Sequence, residues 1–405
     1  MRILHTSDWH IGKKIYGEDR LGEHARFLDW LLETIIDRDV DVLLVSGDVF
    51  DSSMPPARAT DLYYRFLFNL YGKTRTHAVI IAGNHDSAVR LAAPGQFLKM
   101  ARMHVVGDIR DSAKDCVVHL DVNGQTAAIA AVPYLNEGDI LPHIPLEAEI
   151  ERSLRYREAM KRIYDECLSA MDADIKVFMG HYFIQGGTSG DSERLVQIGG
   201  IAPVRTDDLP GDVDYIALGH LHSYQQIKGD GCPILYPGSP LPLSFKEADY
   251  DKEYDQKYGK KVLLVDLGTD VACNIEEVNV PIFRELVRVK GSPDDLIAQA
   301  NFGDWKNKFL EAKVLLDGPA IGVGDTVRQA FAQKGGKVLA VESVLPTKGG
   351  EIVSTEDIKT RTPVEIFQDF YRYKFGESGS DTELDELLTT FNELLDIGRE
   401  QEIGP

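Results

Sequence analysis

The chain has 405 residues, of which 43% are apolar, so it can bury a sizeable core spread over two or three domains. Acidic residues outnumber basic ones by 65 to 44, which gives a formal net charge of −21. This balance excludes a protein that binds nucleic acid through bulk positive charge, so phosphate chemistry would need a local positive charge such as bound metal ions.

Cysteine usage and the N-terminal residues indicate the compartment. The four cysteines lack the CxxC spacing of a structural zinc site and do not suggest a disulfide framework. The apolar run in "MRILHTSDWH" is too short for a secretory signal, and no segment approaches the roughly 18 consecutive apolar residues of a membrane span. We therefore expect a soluble, cytoplasmic protein without a membrane partner.

Short apolar runs alternate with amphipathic stretches over residues 1–279. The runs have strand length, end at small or polar residues, and read "RILHTS", "DVLLVSG", "HAVIIAG", "IKVFMG" and "DYIALG". Residues 22–38 and 57–71 carry apolar side chains at helical spacing between the runs. The alternation predicts a mostly parallel sheet with helices on its faces.

Hairpin signals interrupt this parallel pattern. Asn123-Gly124 separates two strand-like runs, which is a strong turn signal. Residues 225–239 and 261–278 read as two further antiparallel pairs. We therefore predict an α/β fold whose core is a two-sheet sandwich.

The pattern restarts after Val280. Residues 280–345 alternate strand, helix, strand, helix and strand, which predicts a small second α/β domain. Residues 346–362 read as a linker, and residues 363–405 contain two amphipathic helical stretches. Two short helices cannot bury both apolar stripes alone, so this helical tail either docks on its own body or binds a partner.

Polar side chains follow five of the predicted strands in succession. They are Asp8 and His10, Asp48, Asn84 and His85, His181, and His220 and His222. The carboxyl ends of strands are where open α/β sheets bind ligands, so we expect these side chains to share one site. In extended backbone, the two members of each i, i+2 pair would point the same way.

The donor types in this set are typical of a metal centre. Carboxylate, amide and imidazole groups without thiolate favour manganese, iron or zinc over calcium or magnesium. Apart from His85, the set contains seven potential ligands, which are too many for one catalytic ion but suit two. Asp48 would be a central bridging carboxylate between ions about 3.5–4 Å apart. Such a pair would activate water and supply the local positive charge that the acidic chain lacks.

Each block taken alone also has a purely structural interpretation. A single histidine after a strand is more often a polar turn residue, Asp48 could cap a helix, and "GNHD" could be a turn. Five such blocks in order at strand ends favour the shared site. The remaining histidines lack this context, and we assign no function to His5, His24, His77, His104, His119 and His143.

The blocks "SDWH", "GDVF", "GNHD", "GH" and "GHLH" resemble the five signature blocks of the calcineurin-like metallophosphoesterases. They span residues 6–222, more than half of the chain. More narrowly, "MRILHTSDWHIGK", "GDVFDSSMPP", "ALGHLH" and "YPGSPLPLSF" are similar to the SbcD-type nuclease subunits of bacterial SbcCD exonucleases.

This resemblance implies roles for individual residues. One manganese ion would take Asp8, His10, Asp48 and His222, and the other would take Asp48, Asn84, His181 and His220. His85 matches the catalytic histidine of the family. Asp51 stands where some relatives carry a histidine, and its carboxylate could orient the ring of His85. The histidines of "GHLH" would then diverge towards different ions, with a twist at Leu221 separating them.

The resemblance also implies an activity and partners. The expected function is a metal-dependent DNA exonuclease and endonuclease that acts in repair and recombination with an SbcC-like coiled-coil ATPase. Residues 280–345 would be a capping domain that positions DNA, and residues 363–400 would bind the ATPase. Two nuclease subunits would form a homodimer through helices near residues 57–100.

Two other functions share the same blocks. A small-substrate metallophosphoesterase acting on nucleotides or phosphoproteins would use the same ligands but would not need residues 280–405. A catalytically dead scaffold on this fold would have lost ligands, whereas every ligand position is filled here.

Overall fold

The computed structural model describes most of the chain. The described residues are 1–109, 112–140, 152–190, 192, 204–229, 231–248, 259–269, 271–318, 322–345, 364, 367, 368, 371, 384 and 387–391. The chain divides into two compact units, Met1–Val287 and Arg288–Pro405. The predicted linker at 346–362 and most of the predicted helical tail at 363–405 lie outside the described residues.

The first unit alternates strands and helices from its first residues. Its elements are β1 (Arg2–Thr6), β2 (Lys14–Ile15), β3 (Glu18–Asp19), α1 (Leu21–Asp37), β4 (Val42–Ser46), α2 (Ala57–Lys73), β5 (His77–Ile81), α3 (Ala88–Ala92), α4 (Gly95–Met100), β6 (Met103–Val106), β7 (Val117–Val122), β8 (Gln125–Ala131), α5 (Glu137–Ile140), α6 (Arg152–Leu168), β9 (Ile175–His181), β10 (Tyr215–Gly219), β11 (Gln225–Ile227), β12 (Ile234–Tyr236), β13 (Lys261–Gly268) and β14 (Val271–Asn279).

Two six-stranded sheets form the core of this unit, which confirms the predicted two-sheet α/β fold. The first sheet has the order β14-β13-β1-β4-β5-β6, and the second has the order β11-β12-β10-β9-β8-β7. In the first, β1, β4, β5 and β6 are parallel, and β13 and β14 extend the sheet as an antiparallel pair. In the second, β8, β9, β10 and β12 are parallel, and antiparallel β7 and β11 form the edges.

The burial of β4 shows how the layers arise. All five of its residues are buried, as expected for a parallel strand covered on both faces. Successive side chains alternate, so Val42 and Leu44 join the core between the two sheets, whereas Leu43 and Val45 face the helical side of the first sheet. The two sheets therefore pack face to face, with helices outside them.

Helices α1 and α2 cover the outer face of the first sheet through one apolar stripe each, including Phe27, Leu31 and Phe66. Met160 and Ile163 of α6 pack into the core on the outer side of the second sheet. The sequence patterns did not predict α3, α4, α6 or β6. In α6, charged residues surround a narrow apolar stripe, so the helical pattern is weak.

The β-α-β-α-β order predicted after Val280 is present. The elements are β15 (Glu285–Gly291), α7 (Pro293–Phe302), β16 (Lys308–Leu315), α8 (Val323–Ala332) and β17 (Lys337–Val344). The strands form a sheet of order β15-β16-β17, in which β16 and β17 are parallel. Helix α7 begins at a capping box between Ser292 and Asp295, with proline at its first position. No helix in the described part of the chain is long and apolar enough to cross a membrane.

Candidate metal centre

The predicted site residues gather where strands of the two sheets end side by side. Asp8 and His10 follow β1, Asp48 follows β4, and Asn84 and His85 follow β5, all in the first sheet. His181 ends β9, and His220 and His222 follow β10 in the second sheet. The side chains of this cluster are buried except for that of Asn84, which is half-buried. Both sheets therefore contribute to one site.

The backbone at the predicted ligands is not extended, contrary to the expectation from the i, i+2 spacing. Asp8, His10 and Asp48 lie in the left-handed region with φ of 53°, 45° and 50°. The turn between the last two histidines is at His220 itself, with φ of 105°, rather than at Leu221. Such conformations are costly for residues with a Cβ and are typical of functional sites, where the surrounding structure maintains them.

Two glycines permit the close approach of these loops. A Cβ at Gly83 would lie 2.1 Å from Oδ1 of Asp48. A Cβ at Gly219 would lie 1.8 Å from the main-chain oxygen of Ser46. Ser46 ends β4 in the first sheet and Gly219 ends β10 in the second, so the two sheets approach closely at this point. Any larger side chain at either position would push the strand ends apart.

One group of donor atoms comes from the loop after β1 and from the end of the "GHLH" block. Nε2 of His10 and Nε2 of His222 are 3.2 Å apart, and Oδ2 of Asp48 is 3.5 Å from Nε2 of His10. Asp8, His10 and His222 each offer one ligand atom, and these atoms all lie within 4.8 Å of one another. Such a spacing suits three ligands around a single ion.

A second group shares the same carboxylate oxygen. Oδ1 of Asn84 lies 3.1 Å from Nε2 of His181 and 3.0 Å from Nδ1 of His220. Oδ2 of Asp48 is 3.5 Å from Nε2 of His181. Nδ1–H of His181 donates to the main-chain oxygen of Ser46 at 2.8 Å, which leaves Nε2 facing the site. Asp48 therefore stands between two sets of converging donors.

These residues fit divalent ions by their charge as well as by their donor types. Burial opposes ionisation of Asp48, but the neighbouring histidines, His181 foremost, hold the pKa of its carboxyl well below the usual range. Burial opposes a charge on His181, but Asp48 outweighs it and raises the pKa of His181 to about 9. The site thus attracts a positive charge beside Asp48, whether a proton or a metal ion. Burial lowers the pKa of His10 to about 4, which favours the neutral form that a metal ligand requires.

His85 borders the site without joining either group of donors. Its main-chain N–H donates to Oδ1 of Asp48 at 2.8 Å, and its Nε2 lies 4.0 Å from Oδ2. Its Nδ1–H donates to the main-chain oxygen of Asp51 at 2.9 Å. Asp51 thus contacts the ring of His85 through its backbone, whereas its carboxylate lies 3.4 Å from Nδ1 of His10 and 3.0 Å from Nζ of Lys13.

Several residues that hold this site together were not predicted from the sequence. The Asp86 carboxylate accepts main-chain N–H groups of Val49, Phe50 and Gly83 at 2.9–3.0 Å, which fastens the loops after β4 and β5. Ser192, Glu247 and Lys260 form a cluster behind His222. Asp86 was visible in the "GNHD" block, and Glu247 closely follows "YPGSPLPLSF", but nothing in the sequence indicated which contacts they make.

The histidines without an assigned function lie elsewhere. His5 is buried between the sheets, where its ring contacts the Tyr215 and Ser46 hydroxyls at 2.9 and 3.0 Å. His24 is buried against main-chain oxygens. His77, His104 and His119 are also outside the cluster, and His143 lies outside the described residues.

Comparisons with known proteins show the family of the chain. The family model of the calcineurin-like phosphoesterases matches residues 1–224, and the model described as the type 5 capsule protein repressor C-terminal domain matches residues 282–375. These two matches cover both structural units in part.

Three curated proteins, each named as the SbcD component of the nuclease SbcCD, are similar to the chain. The protein of Bacillus subtilis (strain 168) is 34% identical over 297 residues, which are 72% of this chain and 73% of that protein. The protein of Escherichia coli (strain K12) is 34% identical over 323 residues, 78% of this chain and 77% of that protein. The protein of Rhodobacter capsulatus is 38% identical over 264 residues, 62% of this chain and 64% of that protein. The chain belongs to the calcineurin-like phosphoesterases and, within them, to the SbcD family of SbcCD nucleases.

Proposed function

We propose that this chain is a metal-dependent DNA nuclease that hydrolyses phosphodiesters by a two-metal mechanism. The observation that carries the proposal is the position of Asp48, whose Oδ2 lies 3.5 Å from Nε2 of both His10 and His181. A carboxylate oxygen at the same distance from one buried imidazole of each donor set is the arrangement expected of a bridging ligand.

The donor sets support two divalent ions. Asp8, His10, Asp48 and His222 would hold one ion, and Asp48, Asn84, His181 and His220 would hold the other. Oxygen and imidazole donors that occur together without thiolate suit manganese, iron or zinc. Among these, manganese is our choice because of the resemblance to the SbcD-type nucleases. When bound, such ions polarise a phosphoryl oxygen and activate water for attack.

His85 has the geometry of an acid that assists the leaving oxygen. Its Nδ1–H is occupied by the main-chain oxygen of Asp51, so the ring presents Nε2 to the space above Asp48. A proton on Nε2 of the charged ring would then point at a phosphate placed over the ligands. The ring is buried, which excludes bulk water from this proton.

The substrate is inferred from the relatives, which are named nucleases. The net charge of −21 disfavours binding of DNA through bulk charge, so the ions would provide local attraction for its backbone. Residues 280–345 would cap the site and position the duplex. A phosphoesterase that acts on nucleotides or phosphoproteins would not need this second domain.

Cleavage of defined DNA substrates tests the activity. Blunt duplex and hairpin DNA would be incubated with the chain in Mn²⁺ or Mg²⁺, with and without an SbcC-like ATPase, and Asp48→Ala would serve as the inactive control. We expect both DNA substrates to be cut in Mn²⁺ and cleavage to stop with a chelator. Hydrolysis of small phosphoesters without cleavage of either DNA would favour the small-substrate function.

The helical tail is our candidate for the ATPase-binding segment. Among its few described residues, the rings of Phe367 and Phe391 stack with centroids 4.5 Å apart, and Tyr371 and Leu384 are buried. The apolar stripes of the two predicted helical stretches would bind the base of a coiled coil in a helix-in-groove manner. The predicted docking segment, residues 363–400, otherwise lies outside the described residues.

Exposed apolar side chains on α2 and α4 support a homodimer. Phe68 is 74% exposed, and Phe97 and Met100 are 79% and 82% exposed. Large apolar groups so exposed often mark a contact surface. A Phe97→Glu variant should therefore sediment as a monomer while the original chain sediments as a dimer, and a monomeric original chain would contradict the proposal.

A further inference from the structure

A cluster of polar side chains lies behind the ring of His222. Nδ1 of His222 is 2.6 Å from Oγ of Ser192, which in turn makes a very short contact with Oε1 of Glu247. Nζ of Lys260 donates to Oε2 of Glu247 at 2.6 Å, to the main-chain oxygen of His222 at 2.9 Å and to Oγ of Ser239 at 2.9 Å. The cluster therefore forms hydrogen bonds with both the ring and the main-chain oxygen of His222.

The directions of these hydrogen bonds are determined by their members. An ionised carboxylate only accepts and an ammonium only donates, so the single Ser192 proton must go to Glu247. Ser192 then accepts from His222, which requires the hydrogen of that ring to be on Nδ1. The lone pair of Nε2 is thereby directed at Nε2 of His10, 3.2 Å away. In the metal-free protein an Nε2–H of His10 can donate to this lone pair, and in the metal-bound protein a cation would take the place of that hydrogen.

The charged members of this cluster are largely buried, unlike those of an ion pair on the protein surface. The Glu247 side chain is 6% exposed and that of Lys260 is 10% exposed. Nζ of Lys260 lies 2.6 Å from Oε2 of Glu247, so an ammonium group faces the carboxylate directly. The carboxylate is therefore charged and neutralised by Lys260, which is the condition for a stable buried pair.

Two of the other imidazoles are oriented by main-chain groups instead. His181 and His85 each donate from Nδ1 to a main-chain oxygen, those of Ser46 and Asp51. A main-chain acceptor cannot be removed by substitution, whereas Ser192 and Glu247 behind His222 can each be substituted separately.

We propose that Ser192 and Glu247, neutralised by Lys260, are positioning residues that fix the tautomer and orientation of His222 for binding one of the two ions. This inference rests on the proposed metal centre. Partners of this kind behind a metal-bound imidazole typically change metal affinity by about 10- to 100-fold. Since His222 would serve only one ion, the effect should be confined to one of two binding events.

The test is calorimetric titration of the metal-free full chain with Mn²⁺, with the visible spectrum of the Co²⁺-loaded protein as a second readout. Glu247→Gln and Ser192→Ala should each weaken one binding event about 10- to 100-fold, leave the other unchanged and alter the Co²⁺ spectrum. Ser192→Thr keeps the hydroxyl and should restore the affinity.

The chain offers a matched control in the adjacent lysine. Lys261 pairs with Glu277 rather than with Glu247. Glu277→Gln therefore breaks a neighbouring ion pair and should leave both binding events as in the original chain. Weakening of equal size in this variant would overturn the inference, because general destabilisation would then explain the effect.

Two further outcomes are distinct. If the original chain binds two ions and folded Glu247→Gln and Ser192→Ala bind both equally well, the positioning role is wrong and the metal centre stands. If Glu247→Gln does not fold, Ser192→Ala decides alone. If the original chain binds no divalent ion, the proposed function fails and this inference fails with it.

Discussion

The main-chain N–H of His85 donates a 2.8 Å hydrogen bond to Oδ1 of Asp48. This bond occupies one carboxylate oxygen and turns the other towards Nε2 of His10 and His181. The backbone of the residue proposed as the acid thus orients the carboxylate proposed as the bridge. The loops after β4 and β5 therefore act as one unit, and the side chain and backbone of His85 have separate roles.

The first prediction separates these two roles. His85→Gln keeps the main-chain N–H, so the orientation of Asp48 and the metal content should remain near normal. Turnover of DNA should fall by about 10²- to 10⁴-fold, as expected when an acid–base group is lost. Elemental analysis and a cleavage assay on the same preparation measure both quantities. Loss of metal in this variant would place His85 among the ligands instead.

The second prediction concerns Asp51. Its main-chain oxygen holds His85, whereas its carboxylate lies beside His10 and Lys13. Asp51→Ala should therefore weaken Mn²⁺ binding about 10-fold or more and leave turnover at saturating Mn²⁺ near normal.

Lys13→Met, which removes the other partner of this carboxylate, is the control for Asp51→Ala and should bind Mn²⁺ almost normally. A loss of turnover in Asp51→Ala that resembles that of His85→Gln, at unchanged metal affinity, would show that Asp51 acts through His85.

The sequence predicted the composition of this site better than its geometry. Five strand ends with polar side chains were readable because strands and glycines have strong local signals, and the structure places those side chains in one cluster. The left-handed φ of Asp8, His10 and Asp48 was not readable, because it arises from contacts with distant loops. The loop after β1, for example, is held by N–H groups of Asp8 and His10 that donate to the loop after β4.

The cluster behind His222 could not be predicted from the sequence for a similar reason. Ser192, Glu247 and Lys260 are far apart in sequence and carry no spacing that marks them as a group.

In the fold, α6 was not predicted because its charged residues obscure the stripe formed by Met160 and Ile163. The central strands β1, β4, β5, β9 and β10 were predictable because they are largely apolar runs.

The third prediction concerns stability at acidic pH. Burial lowers the pKa of His24 from 6.5 to about 4. The unfolded chain therefore takes up this proton first as the pH falls, so the contribution of His24 to stability is complete above about pH 6.5 and is lost towards pH 4. One such group changes the free energy of unfolding by up to about 1.4 kcal/mol per pH unit.

Denaturant unfolding of the metal-free chain at pH 5 and pH 7 measures this dependence. His24→Gln should reduce the loss of stability between the two pH values by about 1–2 kcal/mol. His119→Gln replaces an exposed histidine and should not change it. An equal pH dependence in the original chain and in His24→Gln would contradict the assignment.

The fourth prediction tests the helical tail. Deletion of residues 363–405 should spare basal cleavage of DNA, because all predicted ligands and His85 lie before residue 223. The same deletion should abolish co-purification with an SbcC-like ATPase. Recovery of the ATPase with the truncated chain would show that the partner binds elsewhere.

The bridging role of Asp48 is tested most directly by the number of Mn²⁺ ions bound per chain before and after its substitution. We expect two ions in the original chain, and loss of both metal binding and DNA cleavage in Asp48→Ala, since one carboxylate oxygen faces both sets of donors. Two bound ions with full cleavage activity in Asp48→Ala would contradict the bridging role and the two-metal mechanism.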